Sequence, residues 1–171
     1  MNHTISIAPV RKSVLVQASP EAVFEVFTAG IDRWWPRSHS IGGTPARESF
    51  IEPFVGGRWF AKCEDGSEAV VGHVRIWQPG ERLVVSWEIN AAWKSEPRVA
   101  FASEVEVRFI GEGAGRTRVE LEHRNFERME IPGGETMRNQ VDGGWPALLE
   151  LFATVAARPD ANARIEANSR R

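Results

Sequence analysis

The chain has 171 residues, of which 42% are hydrophobic and 26% charged, with a net charge of −2. That length predicts one domain with room for a substantial core, and the near-neutral balance excludes the basic face that nucleic-acid binding requires. A single cysteine, Cys63, excludes an intrachain disulfide and a cysteine-based zinc site.

No apolar run approaches the ~18 residues that a membrane span needs. The opening MNHTISIAPVRK lacks the basic, apolar and small-residue segments of a secretory signal. A cytoplasmic location is the expectation that follows. The aromatic inventory is seven Trp, nine Phe and no Tyr, which supplies broad apolar walls with few hydroxyls.

Residues 11–18 alternate as a strand. Ser19-Pro20-Glu21 then has the form of a helix start, with a cap, a proline at the first position and an acid in the first turn. Val23, Phe24 and Phe27 share one side of that helix, and Gly30 ends it. A short helical turn over Ile31–Trp35 stops at Pro36, and residues 36–47 read as a loop rich in Ser, Gly and Pro. Strands follow over 48–52, 58–63, 67–77, 82–90, 100–110 and 116–125, separated by turns such as Glu64-Asp65-Gly66 and Gln78-Pro79-Gly80-Glu81. Their one-sided alternation predicts an antiparallel sheet with one wet face, on which the Glu pairs 104/106 and 120/122 meet Arg108, Arg118 and Arg124. Met137, Val141, Trp145, Leu148, Leu149, Phe152 and Val155 form the apolar stripe of a terminal helix. Pro146 inside the stripe predicts a kink or a fresh start near Gly143-Gly144. Residues 1–157 make the domain, and the polar tail 158–171 is expected to fray.

The motifs of familiar chemistry are missing. There is no phosphate-cradling glycine loop and no Gly-x-Ser-x-Gly elbow. His39, His73 and His123 do not have a zinc-binding spacing, so no metal and no cofactor is expected. Cys63, between Lys62 and Glu64, reads as inert packing.

The order of strand, two helices, six strands and long helix carries several local signatures. These are Ser19-Pro20-Glu21 with Val23-Phe24, Trp34-Trp35, Gly56-Gly57-Arg58-Trp59 and Gly72-His73-Val74. Arg82-Leu83-Val84 with Trp87, Leu121 to Phe126, and Gly144-Trp145-Pro146 with Leu149 complete the set. Together they make the chain similar to the START-like (SRPBCC) superfamily, in its branch of activator of Hsp90 ATPase homologues. The resemblance implies an α+β helix-grip fold: a curved antiparallel sheet of about six or seven strands around a long C-terminal helix, with two short helices after the first strand.

It also implies a cavity between sheet and helix. Alternation places Trp59, Val74, Val85, Trp87, Val107, Leu121 and His123 on its sheet side, and Trp145, Leu149 and Phe152 on its helix side, with Trp34 and Trp35 near the mouth. The leading functional expectation is non-catalytic binding of a small, largely apolar molecule. His123, on the face of Val119 and Leu121, is either a polar anchor for that molecule or a satisfied core residue. A chaperone- or partner-docking protein is one alternative, and a cyclase- or hydratase-type enzyme the other. Of Trp34, Trp35 and Trp93, in or beside loops, at least one is expected at the cavity mouth or in a subunit contact such as a homodimer's.

Overall fold

Seven segments of alternating sequence become strands: β1 (Val10–Val16), β2 (Ala46–Ile51), β3 (Arg58–Cys63), β4 (Glu68–Gln78), β5 (Arg82–Trp87), β6 (Ser103–Gly111) and β7 (Thr117–Arg124). The computed structural model describes residues 6–129 and 133–158, so the expectations for the first residues and for the tail from 159 lie outside the described residues. The strands form one sheet in the order β1-β7-β6-β5-β4-β3-β2, with every neighbouring pair antiparallel. Because β1 pairs with β7, from Val10 opposite His123 to Val16 opposite Thr117, the two ends of the domain lie side by side.

Three helices close the concave face: α1 (Pro20–Phe27), α2 (Ile31–Trp34) and α3 (Gly133–Ala156). The helix start read at Ser19 is present, with the side chain accepting from the Ala22 N–H and Pro20 in the first turn. Thr28 closes α1 by donating its hydroxyl to the Phe24 carbonyl at 2.8 Å. Trp34 of α2 donates its indole N–H to the Val26 carbonyl, which ties the two short helices together. Phe24, Phe27, Trp34, Phe109 and Phe152 then meet in the core between these helices, β6 and α3, edge-on except for the tilted Phe27–Trp34 pair.

Three sequence expectations need correction. First, α3 runs uninterrupted from Gly133 to Ala156, with no fresh start at Gly143-Gly144. Pro146 lies on the exposed side of the helix, where the carbonyl deprived of its bond can turn to water. Second, residues 99–101 are a single 3-10 turn, and the sixth strand begins at Ser103. Third, the outer face of the sheet is not uniformly wet. In β5 Val84 and Ser86 are as buried as Leu83, Val85 and Trp87.

Long charged side chains cover that outer face. Glu106, 3% exposed, accepts hydrogen bonds from Arg82, Arg108 and Arg124, and Arg124 also reaches Glu104. Burial pulls the Glu106 carboxyl upward, but the bonds from Arg124, Arg108 and Arg82 outweigh it and hold the pKa at about 2. Nearby, Glu88 is buried by accepting from the Ser86 hydroxyl and facing His73 Nδ1, both at 2.6 Å.

Candidate ligand cavity

Between α3, the inner ends of β4 and β5, and the loop after α2 lies a cavity of about 390 Å³. Its sheet side is made by Val71, Trp87 and Ile89, and its helix side by Gln140, Val141, Gly144, Trp145 and Leu148. Trp35 and the loop residues Ser38, His39, Ser40 and Ile41 complete one wall, and Trp93 stands opposite. Exposed Ser38, His39 and Trp93 mark the mouth. Four indoles and five aliphatic side chains dominate the lining, and His39 is the only ionisable side chain on it among the described residues. Among the described residues, no acid and no lysine or arginine reaches it.

Local structure holds this wall in place. In α3 Val141, Trp145 and Leu148 repeat at helical spacing and face inward. Gly144 shares that side, and a Cβ there would meet nothing within 4 Å, so the missing side chain is part of the empty space. Trp93 adopts a positive φ of 59°, unusual for a residue with a side chain. The turn around it is held by Asn90, whose side-chain oxygen accepts from the Ala92 and Lys94 N–H groups. The Trp93 indole donates to Gln140 Oε1 at 2.7 Å and so bridges the mouth to the helix. Trp35 meets the Trp59 and Trp145 rings edge-on at 4.9 and 6.0 Å.

Of the residues expected to face a ligand, Trp35, Trp87 and Trp145 line this cavity. Trp34, Val74, Val85, Val107, Leu121, Leu149 and Phe152 are packed in the core instead. Trp59 borders only a separate space of about 10 Å³ under the loop, too small for more than about one water. His123 is fully buried and does not line the cavity. Its Nδ1 accepts from the Trp145 indole N–H at 3.2 Å, so the ring proton sits on Nε2 and is donated to Ser103 Oγ at 2.9 Å. With both nitrogens occupied inside the protein, the ring has nothing left to offer a ligand. Burial pushes its pKa down to about 3, and it stays neutral. His123 is thus a positioning residue: it fixes an indole that the cavity uses.

The contributions of Ser38 to Ile41, Val71 and Ile89 escaped sequence reasoning. Gly144 did carry a signal, being a residue without a side chain on an otherwise apolar helical stripe.

Among the four cavity indoles, Trp35 donates weakly to the His39 carbonyl at 3.5 Å, Trp93 to Gln140 and Trp145 to His123. The Trp87 N–H is buried and has no hydrogen-bond partner, the only such side-chain polar atom among the described residues. An unpaired buried donor of this kind costs about 1–3 kcal/mol.

No group of acidic, histidine or cysteine side chains that could hold a metal occurs among the described residues. Nor is any described helix long and apolar enough to cross a membrane.

Comparison with known proteins places the geometry in a family. The model for activator of Hsp90 ATPase homolog 1-like proteins matches residues 17–157. No curated protein matches the chain. Among solved structures, the anthrahydroquino-gamma-pyrone synthase Txn09 is 42% identical, over 87% of this chain and 97% of that one, with a TM-score of 0.62. The self-sacrificing resistance protein CalC from Micromonospora echinospora is 29% identical over 86% and 93%, with a TM-score of 0.62. Aha1 from Colwellia psychrerythraea, solved as a dimer, shares the fold at 14% identity over 88% and 97%, with a TM-score of 0.61.

Proposed function

The chain belongs to the activator of Hsp90 ATPase homolog 1-like family, and we propose that it binds an uncharged, ring-bearing small molecule between its sheet and its terminal helix. The observation that carries this reading is the lining itself: four indoles and a set of aliphatic side chains around about 390 Å³, with one titratable group at the mouth. That volume lies within the ~300–1,000 Å³ of small-molecule sites, which combine apolar walls with few polar groups. Indole faces suit flat aromatic partners, since offset and edge-on ring contacts add to plain burial. A charged ligand would lose its hydration there without an opposite charge to replace it. The likeness to Txn09 and CalC, whose names are those of a synthase and a resistance protein, agrees with small-molecule handling.

Calorimetric titration with neutral aromatics of two to four fused rings tests the proposal. Binding with a negative heat-capacity change is expected for the wild type, and its loss for Gly144→Leu, which fills the space that Gly144 leaves open. Equal binding by the two proteins would refute it.

One observation favours a second reading, ring-forming catalysis: the 42% identical structure is that of a synthase. On this reading the cavity folds a flexible precursor, and His39, with Ser38 Oγ 3.4 Å from its Nδ1, moves a proton at the mouth. Mass spectrometry after incubation separates the two. A binder returns the molecule unchanged. An enzyme converts it, and His39→Ala keeps the binding while losing the product.

A further inference from the structure

Resting on the cavity reading above, we infer that Gln140 selects the ligand: its side-chain amide donates an N–H to a carbonyl oxygen on the ligand end that stays at the mouth. Apart from the indoles, the polar side chains of the lining gather at that end. Ser38, His39 and Gln140 are exposed and Ser40 is half-buried, whereas Val71, Ile89, Val141 and Leu148 are buried. A bound molecule therefore meets apolar walls with its inner end and hydrogen-bonding groups with its outer end. One orientation is favoured.

Its neighbours set Gln140 up for this task. It stands on α3 one turn before Gly144, and a helical side chain covers the surface over the turn N-terminal to its own Cα. The space that Gly144 leaves open thus adjoins the turn that carries Gln140. The Trp93 indole, which can only donate, meets Oε1 at 2.7 Å and so fixes which end of the amide is oxygen. Both hydrogens on Nε2 remain, and no described residue takes them. Because Gln140 is exposed, an incoming molecule reaches this amide from the mouth. The serines are committed elsewhere: Ser38 Oγ lies against His39 Nδ1, and Ser40 Oγ accepts from the Gly42 N–H. With its oxygen engaged, Gln140 offers donors, which suit an acceptor. The ligand class is neutral fused-ring ketones, lactones and quinones with a carbonyl at one edge.

The probes are 9-fluorenone and fluorene, uncharged molecules of the same ring count that differ in a carbonyl oxygen. Titration of wild type, Gln140→Leu and Gln140→Glu gives the ratio of the two affinities in each protein. The glutamate keeps an oxygen for Trp93 but has no N–H to give. The wild-type preference for the ketone should fall roughly three- to tenfold in both variants. A second measurement reads the amide itself. In ¹⁵N-labelled wild type the Gln140 side-chain amide resonances, identified by their absence from Gln140→Leu, should move downfield with fluorenone and not with fluorene. Suppose both probes bind and Gly144→Leu abolishes both. An unchanged ratio in either variant, or an amide that ignores the carbonyl, then overturns the role of Gln140 and leaves the cavity reading standing. If probe binding is absent or indifferent to Gly144→Leu, the cavity reading falls and takes Gln140 with it.

Discussion

The indole of Trp145 donates to Nδ1 of His123 at 3.2 Å, and that bond decides what the histidine is for. It fixes the Nε2–H tautomer, aims that proton at Ser103, and places one wall of the cavity.

A pH dependence follows. The His123 pKa falls from 6.5 to about 3 in the folded protein, so between those values the unfolded chain binds the extra proton. Stability from this residue is complete above pH 6.5 and declines as the pH falls toward 3, by up to about 1.4 kcal/mol per pH unit. Urea unfolding of the wild type between pH 6.5 and 5 should show the decline, and His123→Gln should flatten it. A wild-type curve without slope in that window would contradict the buried neutral imidazole.

Two glycines should respond oppositely to the same change. Gly143 is an exposed helix-interior residue with open space where a Cβ would go, so Gly143→Ala should raise stability by about 0.5–1 kcal/mol. At Gly72 a Cβ would lie 1.7 Å from the Ser86 carbonyl oxygen of the adjacent strand. Gly72→Ala must therefore push β4 from β5 and should cost about 3 kcal/mol or more. Thermal melts of both variants check the pair, and similar midpoints would count against the close strand approach at Gly72.

On the outer face, Glu106→Gln should cost about 1–3 kcal/mol at pH 7, because three arginines lose their shared carboxylate. The Glu106 pKa is depressed to about 2. Its contribution is thus present above the usual pKa of 4.5 and fades as the pH drops toward 2. Guanidinium unfolding at pH 7 and near pH 2.5 should show the gap between variant and wild type shrinking in acid.

The sheet was legible because period-two alternation is a local property: in β7 the buried and less buried residues alternate as the sequence suggests. The fold followed from element order and from the signatures shared with the family. The outer burial of Glu106 was not legible, since it arises where arginines from neighbouring strands converge on its carboxylate, and that of Ser86 where His73 and Glu88 close around its hydroxyl. His123 could be read as inward, but not as fully occupied, because Ser103 and Trp145 come from separate elements. A cavity differs from a core only in the volume left over, which alternation does not measure. The left-handed turn at Trp93 was hidden for a related reason: no glycine marks it.

The pairing of β1 with β7 has a consequence for how the chain reaches its native state. The first strand finds its partner only in the last third of the sequence, and Lys12 of β1 is clasped by Asp142 of α3 at 2.9 Å. Contacts of such long sequence separation carry a large loop-closure cost before they return anything. Synthesis on the ribosome therefore leaves β1 and the apolar face of α1 without cover until nearly the whole domain has emerged. Ordering should come late and all at once, with no stable N-terminal half on the way.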